Sequence, residues 1–80
     1  DRENPFAWYQ LGVVYARRGD TPRAALATAE RYAMMGKHPM ALRSADAAMQ
    51  GLQQGTVDYL RAQDIAMTSR AAIEQQRKKR

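Results

Sequence analysis

The stretch that decides the fold runs from Tyr15 to Ala24, YARRGDTPRA, and its echo runs from Tyr32 to Ala41, YAMMGKHPMA. The two share Tyr, Ala, Gly, Pro and Ala in register, seventeen residues apart. Each contains Gly-x-x-Pro, as GDTP at 19–22 and GKHP at 36–39. Glycine just past a helix end takes the left-handed conformation without steric cost. Proline a few residues later suits the first turn of a new helix, where no backbone donor is missed. Each joint therefore predicts a helix stop, a tight turn and a new helix, with a connection short enough to fold neighbours antiparallel. Thr21 is the expected N-cap before Pro22, and His38 holds the matching, poorer capping place before Pro39.

The segments between the joints agree. NPFAWYQLGVVYARR opens with Asn4 as expected N-cap and Pro5 at the first helical position. Trp8, Leu11, Gly12 and Tyr15 follow at i, i+3, i+4, i+7, one face of a helix. From 22 to 35 the apolar stripe is Ala25, Leu26, Ala29, Tyr32 and Ala33, opposite Arg31 and flanked by Arg23 and Glu30. From 39 to 52 it is Ala41, Leu42, Ala45, Ala48, Met49 and Leu52. After GLQQGT a longer helix is expected over 57–76, with Tyr59, Ala62, Ile65, Ala66, Ser69, Ala72 and Ile73 inward and Asp58 in its first turn. No sustained period-2 alternation argues for a strand. The pattern predicts an all-α chain of four helices, stacked as antiparallel hairpins, the last long and capping.

Eighty residues make one small domain near the lower limit for an independent core. The absence of cysteine removes disulfides and thiolate chemistry, and no apolar run approaches the ~20 residues a membrane span needs. The chain opens with Asp1 rather than Met, so a piece of a longer protein is expected. Of the net charge of +5, RKKR at 77–80 supplies four, leaving +1 for residues 1–76. A basic footprint for nucleic acid should stripe a folded face. This charge instead marks a short basic tail after a domain spanning 1–76, and specific nucleic-acid binding is not expected. An electrostatic contact of the tail with nucleic acid or an anionic membrane is the weakest of three functional readings, and salt should abolish it.

Seventeen is half of 34, the period of the tetratricopeptide (TPR) repeat. The chain resembles that family at Trp8, Leu11, Gly12, Tyr15, Gly19 and Ala24, which stand where its pattern wants Trp, Leu, Gly, Tyr, Gly and Ala. Beyond Ala24 the match fades, with Thr28, Arg31 and Gly36 in place of Phe, Ala and Pro. A second register from Pro22 sets Ala29, Tyr32, Gly36, Ala41 and Ala48 in good places. The resemblance implies a right-handed stack of helical hairpins. NPFAWYQLGVVYARRGD, AALATAERYAMMGKHPMAL and GTVDYLRAQDIAM together resemble more closely the C-terminal TPR region of bacterial periplasmic zinc metallopeptidases, the BepA-like proteins related to the CAAX prenyl endopeptidases. LRAQDI at 60–65 is the most specific part. That resemblance implies a periplasmic location and a non-catalytic role beside a zinc protease domain in outer-membrane protein quality control. Zinc is expected only in the parent catalytic domain.

Nothing in these residues carries catalysis. His38 is the single histidine, ahead of a proline in a turn, whereas zinc needs three or four ligands. Gly12, Gly19, Gly36, Gly51 and Gly55 read as turn or packing glycines, not a phosphate loop. Thr68 and Ser69 have no histidine to activate them, and Asp46, Asp58, Asp64 and Glu74 are dispersed. The expectation is no catalytic residue, no metal and no cofactor in this chain.

Binding remains. In a TPR the first helix of a hairpin lines a concave groove with the face not packed on its partner, here Phe6, Tyr9, Val13, Ala16 and Arg17. The first helix is thus apolar on two sides: Trp8–Leu11–Tyr15 for the core, and Phe6–Tyr9–Val13 for a partner. An upstream repeat or protease domain of the same chain, an extended peptide contacting Tyr9 and Arg17, or local packing including a homodimer contact would each cover the second side. Met34, Met35 and Met40 at the second joint, and Leu60 with Met67, are further exposed apolar groups. The expected function is a protein- or peptide-binding module. A stand-alone adaptor or dimerisation module is the alternative.

Overall fold

The computed structural model describes residues 3–79. It is all-α, with helices α1 (Pro5–Arg17), α2 (Thr21–Met34), α3 (His38–Gly51) and α4 (Val57–Lys78). The Asn4 side chain caps α1, accepting from the Phe6 N–H at 2.9 Å, and Pro5 occupies the first helical position as expected.

The two joints repeat hydrogen bond for hydrogen bond. At the first, Gly19 (φ 76°) donates its N–H to the Ala16 carbonyl at 3.0 Å, and Asp20 donates to Tyr15 at 2.9 Å. At the second, Gly36 (φ 74°) donates to Ala33 at 3.1 Å and Lys37 to Tyr32 at 2.9 Å. This doubly closed Schellman turn satisfies the last carbonyls of one helix. The residue after each glycine then takes the N-cap position of the next helix, which corrects the capping expectation, and of the two only Asp20 accepts a side-chain capping bond. Asp20, not Thr21, is the N-cap of α2, its carboxylate accepting from the Arg23 N–H at 3.1 Å, and Lys37 precedes His38 at the start of α3. Asp is at least as good a capping acceptor as Thr, and the turn leaves no residue to spare. Both helices consequently begin and end one residue earlier than their spacing suggests. The third joint differs: Leu52 is extended, Gly55 has φ 83°, and the Thr56 hydroxyl caps α4 by accepting from Tyr59 N–H at 3.2 Å. α4 continues to Lys78, so Arg77 and Lys78 lie in its last turn, where cations complement the helix dipole. Arg80 of the basic tail lies outside the described residues.

α2 is the central helix and touches the other three. Ala29, Ala41, Ala45, Ala48 and Ala62 are 0% exposed, with Ala66, Leu26 and Ile65 completing the core of α2, α3 and α4. Alanine at these positions lets the helix axes close to the shorter end of helix packing distances. The inward stripes predicted for α2, α3 and α4 are met, with Ala25, Tyr32, Ala33, Leu42, Met49 and Leu52 partly buried around that core. Ala29, Ala41 and Ala48, spaced along the register that starts at Pro22, are wholly enclosed.

α1 departs from expectation. It has no buried residue, and none of its Cα atoms lies within 8 Å of one in α3 or α4. It packs on α2 alone, Gly12 facing Ala24, Ala27 and Thr28 at ordinary van der Waals distances. The Trp8–Leu11–Tyr15 face therefore does not enter the core, because no third helix closes over it.

Gly51 supplies a test of the α2–α3 seam. A Cβ there would stand 2.5 Å from the Cγ of Pro22, a ring that cannot swing aside. Gly51→Ala gains about 1 kcal/mol of helix propensity but meets an overpacking cost of about 1–3 kcal/mol. A net loss of about 1 kcal/mol is expected, or ~5 °C in Tm, whereas Gly12→Ala, with its 3.5 Å contact, is tolerated. Thermal melts of the two variants decide it: a Gly51→Ala protein more stable than the parent removes the Pro22 contact.

Candidate functional site

The uncovered side of α1 becomes one wall of a groove. Trp8, Leu11 and Tyr15 line it from α1; Leu26, Ala27 and Glu30 floor it from α2; Val57, Asp58 and Arg61 wall it from the start of α4. Its volume is about 800 Å³. A helix is ~10 Å across and rises ~5.4 Å per turn, so this is room for about two turns. Leu11 and Val57 both line it while 37% and 83% exposed. Apolar side chains on both walls, Trp8, Leu11 and Tyr15 on one and Val57 on the other, open to water, form the kind of surface that a partner segment covers.

Two ion pairs between helices, and one local to the start of α2, set the frame of the groove. Glu30 is buried at 5% exposure, and its carboxylate accepts from both Nε and Nη2 of Arg61, the latter at 2.8 Å. The bidentate bond holds the Arg61 guanidinium above its ordinary pKa despite some desolvation. Arg23 bridges the N-terminal ends of α2 and α4, 2.8 Å from both Asp20 and Asp58. Its pKa is raised by Asp20 and then Asp58, while the hydrogen bonds from Arg23 lower that of Asp20. These pairs run 23 to 58 and 30 to 61, so α2 and α4 point the same way along the groove.

Of the five groove residues expected from sequence, none lines this groove. Phe6, Tyr9, Val13, Ala16 and Arg17 lie on another face of α1, and the rings of Phe6 and Tyr9 stack with centroids 6.3 Å apart, both more than half exposed. Val13 is half-buried, and Ala16 and Arg17 are exposed. Arg31, expected on the solvent side of α2, is instead half-buried, its guanidinium 5.4 Å from the centroid of Tyr9 and 4.7 Å from that of Tyr32. Glu30 and Arg31 thus escape a reading by hydrophobic period: Glu30 is buried against Arg61 of α4, and Arg31 is half-buried over Tyr9 of α1 and Tyr32 of its own helix. The i, i+3, i+7 spacing of Trp8, Leu11 and Tyr15 does mark the groove wall, but the same spacing describes a core face.

Met34, Met35, Met40, Leu60 and Met67 are exposed. No three His, Cys, Asp or Glu side chains come together among the described residues. No helix among the described residues is long and apolar enough to cross a membrane. No protein family, curated protein or solved structure matches this chain.

Proposed function

We propose that this chain is a non-catalytic, TPR-like protein-binding module that holds an apolar polypeptide segment between α1 and α4. The open groove with Leu11 and Val57 exposed on its walls carries this reading. Its occupant is the third helix-like element that α1 lacks, a helix-in-groove mode of recognition. The repeated joints and the enclosed Ala29, Ala41 and Ala48 support the TPR likeness. From the resemblance across LRAQDI and its neighbours, we place the module in the C-terminal, client-handling part of a periplasmic zinc metallopeptidase that acts in outer-membrane protein quality control. The second reading, an adaptor or dimerisation module without an enzyme, is favoured by the groove being built entirely from this chain's own helices.

The test uses a urea-unfolded outer-membrane β-barrel protein diluted into buffer, with binding to the chain followed by fluorescence anisotropy. Leu11→Glu and Val57→Asp place charge in the groove at exposed positions, so helicity should be unchanged. Each is expected to weaken binding at least tenfold, about 1.4 kcal/mol. Unchanged affinity in both variants, with circular dichroism intact, removes the groove from client binding. Sedimentation of the parent as a dimer that Leu11→Glu dissociates would favour the dimerisation reading.

A further inference from the structure

We infer a second binding site, on the face carried by Tyr9, Arg31, Tyr32 and Arg43, for an acidic polypeptide segment whose carboxylates meet the two arginines. Arg31 is unusual among the cations of this chain. It is half-buried, fixed over the rings of Tyr9 and Tyr32, and makes no ion pair among the described residues. Two rings stabilise the guanidinium and hold it in place, but they leave its net charge uncompensated. Arg43 lines a shallow cleft of about 260 Å³ with Thr28, Tyr32 and Ser44, and it too makes no ion pair among the described residues. Tyr32 belongs to both features, carrying Arg31 over its ring and lining the cleft with Arg43.

No carboxylate lines the cleft. Glu30, next to Arg31 in sequence, is turned to the other side of α2 and held by Arg61, and Asp46, three residues after Arg43 on α3, makes no ion pair with it. By contrast, Arg23, Arg61 and Arg77 each have an acidic partner within the chain. Arg17, Arg18 and Arg70 are exposed and rest on no ring, so binding would have to order them. Arg31 is already ordered, which removes part of the entropic cost of gripping a carboxylate in a two-point fork. A cleft lined by Arg43, the hydroxyls of Thr28, Tyr32 and Ser44 and no acid, with Arg31 over the Tyr32 ring, is complementary to carboxylates, and the exposed Phe6 beside Tyr9 offers apolar contact to a neighbouring residue of the same segment. Arginines among aromatic rings also serve single-stranded nucleic acids, but there the rings must be free to take bases. Here Tyr9 is stacked with Phe6 and Arg31, and Tyr32 carries Arg31. Protein is therefore the occupant that fits.

The experiment measures binding of the whole chain to a fluorescein-labelled twelve-residue Glu-Leu repeat peptide. A Lys-Leu repeat and a twelve-nucleotide oligothymidylate serve as comparisons. The Glu-Leu peptide should bind and the Lys-Leu peptide should not. Arg43→Gln and Arg31→Gln should each raise the Kd at least tenfold, while deletion of residues 77–80 should change it less than twofold. Arg31→Gln can loosen the α1–α2 contact, so the exposed Arg43→Gln is the deciding variant. An unchanged Kd in Arg43→Gln, loss of binding on removing the tail, or tighter binding of oligothymidylate would each overturn the site. Met67→Glu, an exposed change that lies in neither the cleft nor the groove, should leave the Glu-Leu peptide affinity unchanged.

Discussion

Ala45→Leu is expected to lower stability by about 3 kcal/mol, at the upper end of ordinary overpacking. Ala45 is 0% exposed in α3, within the core that α2, α3 and α4 share. A leucine there must push the helices apart, and close packing allows no small adjustment. An 80-residue domain has a total stability of roughly 4–12 kcal/mol. The loss thus removes a large part of it and should drop Tm by on the order of 15 °C. Ala47→Leu makes the same chemical change two residues away, on the exposed face of α3, and should leave Tm within about 2 °C. Thermal melts of the pair isolate burial from propensity, since both positions lie within one helix. Equal Tm values would mean that the alanine seam is not closely packed.

Arg61→Ala should be the most damaging change of charge in the molecule. It strands the Glu30 carboxylate at 5% exposure on the groove floor. Breaking a fully buried pair costs about 3–5 kcal/mol. Here the Arg61 side chain is 54% exposed and water will partly replace it, so about 2 kcal/mol is expected. The sign of a double-mutant cycle is the sharper result. Adding Glu30→Gln to Arg61→Ala should restore stability, because an amide is cheaper to bury than an unpaired carboxylate. If the double variant is less stable than Arg61→Ala alone, Glu30 is not stranded by the loss of Arg61. Urea unfolding of the four proteins, compared through their midpoints at constant m, measures the cycle.

The joints were the most legible part of the chain. Tyr-Ala-x-x-Gly-x-x-Pro encodes a Schellman turn and a helix start through local backbone preferences alone, and the structure repeats its hydrogen bonds at both copies. The one-residue shift of each helix came from the closing hydrogen bond, which makes Asp20 and Lys37 the caps and draws Thr21 and His38 into the helices. Inward faces were legible wherever two neighbours press on a helix, as for Ala41, Ala45 and Ala48 of α3 or Ala62, Ile65 and Ala66 of α4.

The candidate sites were less legible. Trp8, Leu11 and Tyr15 carry an apolar spacing that does not state whether a neighbour exists, and in this fold they line an open groove. Phe6, Tyr9, Val13, Ala16 and Arg17 were placed on the partner-facing side of α1, where Phe6 and Tyr9 are exposed but line the Arg31 face rather than the groove. The sequence by itself determined four helices, their turns and the alanine seam, because these follow from interactions between residues close along the chain. Only the tertiary structure decided that α1 stands on α2 alone, that Glu30 is buried against Arg61, and that Arg31 rests on two tyrosines. Those outcomes depend on which helices meet across 31 residues or 22, a distance over which local preference carries no information.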